Sequence, residues 1–190
     1  MQKIAIFASG SGTNALQIIA HFQDSLKAQV VLIATDNAQA GILEKVTEMP
    51  LETHIFSKEE TKNGAFLAAF LQEKEIDLIV LAGYLKLIPV ELIQAFPQKI
   101  INIHPSLLPK FGGKGMYGMN VHRAVIAAKE AKSGITIHLV DEIYDNGEVL
   151  FQAEVAIPAD YTAEMLQQAV LKLEHLHFAG VIAKQLAVSS

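Results

Sequence analysis

Short apolar runs alternate with longer amphipathic stretches along the first half of the chain. Runs such as Leu78–Ala82 carry no polar alternation, which is the pattern of parallel strands covered on both faces. Because a stretch of helical length follows each of the first four runs, the pattern predicts consecutive βαβ units. The predicted strand and helix pairs are, in order, KIAIFAS with NALQIIAHFQ, QVVLIATD with AGILEKVTEM, ETHIF with GAFLAAFLQEK, and DLIVLAGY with PVELIQAF, followed by a fifth strand, KIINI.

The pattern changes after residue 112, where a glycine-rich loop and a helix precede two adjacent strands, GITIHLV and EVLFQAEVAI. A long closing helix is predicted from Thr162, although Met165 cannot complete a capping box with it. With 190 residues, we expect a single domain over residues 1–190. The predicted fold is a Rossmann-like, doubly wound α/β domain whose mostly parallel sheet becomes mixed at its C-terminal strands.

The amino-acid composition restricts the kinds of site and of binding partner that the protein can have. The chain has no cysteine, a net charge of -5 and a pI near 5.8, so disulfides and thiolate metal sites are excluded and no basic surface for nucleic acid is indicated. No uncharged apolar run reaches the roughly 18 residues of a membrane span. The N-terminal sequence enters a strand without a secretory pattern. We therefore expect a cytoplasmic protein, a monomer or a homodimer, that binds small molecules and no metal.

Ligands of doubly wound sheets bind outside the carboxyl ends of the strands, and the first strand ends in ASGSGTNALQ. Gly10 and Gly12 free the backbone, and Thr13 and Asn14 place donors at a helix N-terminus, as in a phosphate cradle. The segment lacks the third glycine of a dinucleotide fingerprint and its downstream carboxylate, although Asp36 ends the next strand. The alternative is a plain turn in which Thr13 or Asn14 caps the helix.

The fifth strand runs into INIHPSLLPKF. Side chains alternate along a strand, so Asn102 and His104 project to the same side at its end. Pro105 and Pro109 restrict the backbone around them, which lowers the entropy cost of ordering this loop. The alternative is a half-buried core histidine with Asn102 capping the strand. The position at a carboxyl strand end and the rigid frame favour a functional histidine.

An acidic loop, HLVDEIYDNGEVL, follows the first of the two late strands. One of its carboxylates, Asp145, precedes Asn146 and Gly147, a dipeptide that forms tight hairpin turns. Asp145 could therefore serve only to organise a turn. The alternative is that it lies beside His104, where a carboxylate would stabilise and orient a protonated imidazole, as a general acid requires.

Taken together, these motifs resemble those of the folate-dependent formyltransferases, and within them the branch that formylates glycinamide ribonucleotide (GAR). The resemblance covers nearly the whole chain. It is carried by SGSGTN (residues 9–14), LAGYLKLI (81–88), INIHPSLLPKF (101–111), VHRA (121–124), GITIHLVDEIYDNGEVLFQ (134–152) and LEH (173–175).

The resemblance implies transfer of the formyl group of 10-formyltetrahydrofolate to the primary amine of GAR in purine synthesis. It assigns catalysis to Asn102, His104 and Asp145, with Asn102 also beside the folate. It assigns the substrate phosphate to Gly12, Thr13 and Asn14, the substrate amine to Glu174, and folate to Leu85, Lys86, Leu87 and Ile88.

In the mechanism that this implies, Asn102 and protonated His104 donate to the oxygen on which negative charge develops, and Asp145 keeps the imidazole charged and oriented. His104 then helps to protonate the departing folate nitrogen. No metal takes part, and His138 is expected to be a supporting or core residue.

Two departures from the family pattern are a longer loop, Gly112–Asn120, and Lys86 where an arginine is frequent. One alternative, which shares the motifs of this resemblance, is a formyltetrahydrofolate hydrolase that lacks a regulatory domain. Another, from a different class, is a non-catalytic nucleotide-binding module. A methionyl-tRNA formyltransferase would need a longer chain with a basic extension.

Overall fold

The computed structural model describes residues 1–188, in which seven strands form one sheet with helices on both faces. The strands are β1 (Gln2–Phe7), β2 (Ala28–Thr35), β3 (Glu52–Ile55), β4 (Leu78–Leu81), β5 (Ile100–His104), β6 (Lys132–Leu139) and β7 (Val149–Ala156). The helices are α1 (Thr13–Phe22), α2 (Gly41–Lys45), α3 (Gly64–Glu73), α4 (Val90–Ala95), α5 (Met119–Ala127) and α6 (Ala163–Val188). A 3₁₀ turn, Glu60–Lys62, precedes α3.

The strand order is β3-β2-β1-β4-β5-β6-β7. Strands β1 to β5 run parallel to one another, whereas β6 pairs antiparallel with β5 and β7 pairs antiparallel with β6. The predicted doubly wound sheet with a mixed C-terminal part is therefore confirmed. Strand order reverses between β1 and β4, the switch point at which such sheets leave a crevice for ligands.

Alternate side chains of the central strands bury two separate cores. On one face Ile4 and Ile6 of β1 pack with side chains from α1, α2, α5 and α6. On the other face Ala5 and Phe7 pack with side chains from α3 and α4. Because both faces are covered, the central strand β4 is apolar throughout, which explains the absence of polar alternation in that part of the sequence.

Helix ends follow local chemistry in two places and depart from the prediction in one. The side chain of Asn63 accepts the backbone N–H of Phe66 at 3.0 Å and caps α3. Thr162 Oγ1 accepts the Met165 N–H at 3.2 Å at the start of α6. Helix α2 stops at Lys45, well before the predicted end, because β-branched residues follow and Pro50 disfavours helical backbone at the residue before it.

Within residues 1–188, no helix combines the length and the apolar character needed to cross a membrane.

Candidate active site

The carboxyl ends of β1, β4 and β5 open into a cavity of about 760 Å³. This volume is in the range of small-molecule sites. Every residue that the sequence analysis assigned to catalysis or binding lines this one cavity, namely Gly12, Thr13, Asn14, Leu85, Lys86, Leu87, Ile88, Asn102, His104, Asp145 and Glu174.

His104 is the last residue of β5 and is 4% exposed. Its Nε2 lies 2.8 Å from the carbonyl oxygen of Phe111, and since a carbonyl only accepts, Nε2 carries a proton and donates. The other ring nitrogen, Nδ1, lies 3.5 Å from Oδ2 of Asp145. The loop after β5 thus sets the tautomer, and the carboxylate faces the nitrogen that can gain a second proton.

Asn102 lies one pleat before His104, and its Nδ2 lies 3.1 Å from Nε2 of His138 on the neighbouring strand. The His138 ring donates from Nδ1 to its neighbour's carbonyl, Leu139 O, at 2.8 Å, so Nε2 is left as the acceptor for the Asn102 amide. Burial lowers the pKa of His138, which favours this neutral form. His138 therefore orients the Asn102 amide, the supporting role that the sequence indicated.

Asp145 belongs to the connection between β6 and β7 and is held in left-handed backbone, with φ of 52°. Its Oδ2 accepts the Gly113 N–H at 2.8 Å, and its Oδ1 lies 3.8 Å from His138 Nε2. A tight hairpin turn at residues 146–147 is wrong, because strand pairing with β6 stops at Val149 and the intervening loop folds back over the sheet end. Gly147 allows this path, since a Cβ there would overlap the Leu139 carbonyl.

Gly12 forms the N-cap of α1 in left-handed backbone, with φ of 70°, and no side chain caps this helix. Capping by Thr13 or Asn14 is therefore wrong, because these are the first two residues of the helix itself. A Cβ on Gly12 would lie 2.5 Å from the Ile42 side chain. The helix N-terminus is thus open to the cavity, and its N–H groups and dipole favour an anion there.

Glu174 of α6 faces this helix N-terminus and accepts a hydrogen bond from Asn14 Nδ2 at 2.6 Å. Burial raises the pKa of the Glu174 carboxyl, and the Asn14 contact opposes that shift. The Oδ1 atom of Asn14 is buried without a hydrogen-bond partner. Such a group is costly unless a ligand satisfies it.

The segment after β4 forms the opposite wall of the cavity. Leu85 and Leu87 are 51% and 52% exposed, whereas Ile88 is buried in the core beneath them. The Lys86 ammonium lies 3.5 Å from Oδ2 of Asp36. This wall therefore presents two exposed apolar side chains and a lysine that is paired with Asp36.

The cavity has further lining residues that the sequence analysis did not assign. Helix α6 contributes Gln167 and Leu171, which share a face with Glu174 at helical spacing, so the helix period could have identified them. The acidic loop contributes the exposed apolar pair Ile143 and Tyr144. The glycine-rich loop contributes six more lining residues, Gly113, Lys114, Gly115, Met116, Tyr117 and Gly118.

His122 of α5 also lines the cavity and is buried, and its Nδ1 has no hydrogen-bond partner. Burial and, to a smaller extent, the charge of His104 lower its pKa to about 4. It lies in the VHRA motif that contributed to the resemblance, which could have identified it. Within residues 1–188, no three or more His, Asp or Glu side chains are grouped so as to hold a metal ion, and the expected absence of a metal stays a prediction.

Three relatives and solved structures illustrate what this chain is similar to. The chloroplastic phosphoribosylglycinamide formyltransferase of Arabidopsis thaliana is 43% identical over 187 residues, which cover 95% of this chain but only 64% of the plant protein. The phosphoribosylglycinamide formyltransferase of Bacillus subtilis (strain 168) is 36% identical over 195 residues, covering 100% and 97% of the two chains. The crystal structure of phosphoribosylglycinamide formyltransferase from Bacillus halodurans superposes with a TM-score of 0.88 at 34% identity, covering 100% and 97%.

The family model described as formyl transferase matches residues 2–182. The match includes every residue assigned above to the cavity, from Gly12 to Glu174. The fold, the cavity at the strand ends and these similarities agree, and the chain belongs to the formyl transferase family.

Proposed function

We propose that this protein transfers the formyl group of 10-formyltetrahydrofolate to the amine of GAR in de novo purine biosynthesis. The observation that supports this most strongly is the arrangement of His104 between Phe111 and Asp145, beside an Asn102 amide oriented by His138. Donors fixed in this way suit a reaction in which negative charge develops on a carbonyl oxygen. The relatives named phosphoribosylglycinamide formyltransferase support the same reaction.

The proposed chemistry uses the donors that remain free. The folate cosubstrate supplies the formyl carbon that the GAR amine attacks. One Asn102 amide proton is committed to His138, so the other donates to the formyl oxygen. The Nε2 proton of His104 is committed to Phe111, so Nδ1, which faces Asp145, holds the proton that stabilises the developing charge. As the bond between the formyl carbon and the folate nitrogen breaks, this proton passes to that nitrogen, and the proton that the GAR nitrogen loses replaces it on His104. Asp145 holds the imidazolium in this orientation.

GAR is proposed to bind between α1 and α6. Its phosphate lies at the uncapped N-terminus of α1, against Gly12 and Thr13. Its neutral amine lies at Glu174, whose carboxylate accepts an N–H of the amine and leaves the nitrogen lone pair free to attack the formyl carbon. Asn14 Oδ1, buried without a partner, accepts a hydrogen bond from the sugar or the amine.

The folate is proposed to lie along Leu85–Ile88. The exposed side chains of Leu85 and Leu87 offer apolar contact, and Ile143 and Tyr144 offer it from the acidic loop. This arrangement brings the donor close to Asn102, which lines the same cavity.

Formyl transfer measured with GAR, glycine and water as competing acceptors tests the proposal. We expect formyl-GAR as the product and no formylation of glycine, because glycine lacks the phosphate that α1 would hold. Release of formate at the same rate with and without GAR would show that water is the acceptor and that the protein is a hydrolase. Binding of GAR without any turnover would indicate a non-catalytic module.

A further inference from the structure

Asp36 directly follows β2, at the position where a dinucleotide-binding protein would carry the carboxylate that holds a ribose. In this protein both carboxylate oxygens of Asp36 have protein partners. Oδ1 accepts the hydroxyl proton of Ser9 at 2.6 Å, and Oδ2 lies 3.5 Å from Lys86 Nζ. The Asp36 side chain is 10% exposed. The carboxylate is therefore used within the protein, and the question is what its contacts hold in place.

Ser9 carries the connection to the opposite wall. Its hydroxyl oxygen, while donating to Asp36, accepts the backbone N–H of Leu85 at 3.2 Å. Its own backbone N–H donates to the Gly83 carbonyl at 3.1 Å. Two hydrogen bonds thus fasten the start of the segment after β4 to a single residue of the β1 loop. The side chain of Asn37 in turn donates to the Ser9 carbonyl at 3.1 Å.

The charge of Asp36 acts on the same segment. Burial and, to a smaller extent, the Asp36 charge raise the pKa of the Tyr84 hydroxyl, which keeps it neutral. The Tyr84 ring packs edge-on against Phe7 with centroids 5.3 Å apart. The residues on either side of Leu85 are therefore held by packing on one side and by the attraction between Asp36 and Lys86 on the other.

We infer that Asp36, acting through Ser9 and Lys86, is a positioning residue for the formyl donor, because these contacts hold the backbone of Leu85 and the side chain of Lys86 at the start of the segment Leu85–Ile88. The inference rests on the proposed function, which places the folate along that segment. The Ser9–Asp36 hydrogen bond has an ionised acceptor, and such bonds are about twice as strong as neutral ones. The Lys86 side chain is largely exposed, so its pairing with Asp36 is the weaker of the two connections.

Removal of the hydroxyl is the first test. In Ser9→Ala the Leu85 N–H loses its acceptor, and we expect the KM for 10-formyltetrahydrofolate to rise about tenfold while the KM for GAR changes by less than about twofold. Ser57→Ala is the matched control, because Ser57 lies away from the cavity and hydrogen-bonds only near Glu60. A purely structural role would lower the melting temperature and raise both KM values together.

Removal of the charge alone is the second test. Asp36→Asn keeps an oxygen for the Ser9 hydroxyl but loses the attraction to Lys86, so we expect a rise of about threefold in the KM for the folate. In a Lys86→Met background the same substitution should raise the KM by a smaller factor, since only the hydrogen bond from Ser9 to the charged carboxylate is left to be weakened. The exposed Asp160→Asn is the control for a lost surface charge.

The two proposals fail differently in these experiments. Binding of 10-formyltetrahydrofolate to the wild-type protein is measured by calorimetry alongside the kinetics. A wild-type protein that binds no folate would overturn the proposed function and this inference together. A wild-type protein that binds folate and formylates GAR, with unchanged folate KM values in Ser9→Ala and Asp36→Asn, would overturn this inference alone.

Discussion

His104 Nδ1 and Asp145 Oδ2 lie 3.5 Å apart, with side chains only 5% and 11% exposed. The other ring nitrogen is engaged by the Phe111 carbonyl. A neutral His104 would therefore present a lone pair to the carboxylate, whereas a protonated His104 presents an N–H. This geometry links the catalytic role proposed for the histidine to a residue that lies on a different loop.

Asp145→Asn separates this role from a turn-forming one. An asparagine oxygen can still accept the Gly113 N–H, so we expect the melting temperature to be nearly unchanged. Without the carboxylate the His104 imidazolium loses its partner, and the rate of formyl transfer between about pH 6 and pH 8 should fall at least about a hundredfold. The measurement is a pH–rate profile, with the exposed Glu142→Gln in the same loop as the control. A rate equal to that of the wild type would contradict the catalytic assignment.

Asn102→Ala and His104→Ala each remove one proposed donor to the formyl oxygen. Because these donors act on charge that develops in the transition state, kcat should fall by about a hundredfold to a thousandfold while the KM for GAR changes little. Steady-state kinetics with GAR as the varied substrate provide the measurement. A variant with normal kcat and a raised KM would show that the residue only binds substrate.

Gly12→Ala tests the phosphate cradle. The substitution forces a side chain into left-handed backbone and against Ile42, so we expect a loss of stability and weaker binding of GAR. Gly180→Ala is the control, because it lies inside α6 with open space around it and should stabilise the helix by about 1 kcal/mol. Calorimetry with GAR and with dephosphorylated GAR measures the phosphate contribution. Equal affinity for both ligands would mean that the loop does not hold the phosphate.

Glu174→Gln should stabilise the unliganded protein at high pH. Burial raises the Glu174 pKa above its usual 4.5, so the folded state retains the proton more strongly than the unfolded state does. The stability associated with the protonated form is present below pH 4.5 and is lost as the pH rises through the folded pKa. Glutamine avoids this loss while it can still accept from Asn14.

Melting temperatures at two pH values measure this effect. At pH 8 we expect Glu174→Gln to melt above the wild type and to bind GAR more weakly, because the amine loses its carboxylate. Below pH 4.5 the two proteins should melt together. A lower melting temperature for the variant at pH 8 would show that ionised Glu174 stabilises the fold.

His122 should make the protein sensitive to acid. Its pKa is lowered from 6.5 to about 4, so between these values the unfolded state binds a proton that the folded state does not. Stability is therefore present above pH 6.5 and is lost as the pH falls toward 4. In His122→Leu the urea midpoint should fall less between pH 7 and pH 5 than in the wild type. Equal losses in both proteins would exclude His122 as the cause.

Much of the cavity could be predicted because parallel strands share one carboxyl edge. The chain carries polar residues after β1 and at the end of β5, and topology alone brings Gly12 and His104 to the same opening. The helix at Thr162 and the mixed sheet end also followed from local patterns. These features can be predicted from neighbouring residues and from the rule that ligands bind at the carboxyl ends of parallel strands.

The remaining features depend on long-range contacts. The pairing of Asn102 with His138 is set by the antiparallel register of β5 and β6, which a single chain segment does not encode. The direction of Asp145 depends on its left-handed backbone and on close approach of Gly147 to β6. Local propensity at residues 146–147 favoured a tight turn, and tertiary packing overrode it.

The hydrogen bond between Asn14 and Glu174 joins residues 160 positions apart, so α1 and α6 meet across almost the whole chain. A ligand that contacts both side chains links these two helices for as long as it is bound. Neither helix can leave the domain while the ligand is bound, so its binding energy opposes unfolding of the entire domain rather than of one loop. Protease resistance on ligand addition should therefore rise in every part of the protein at once.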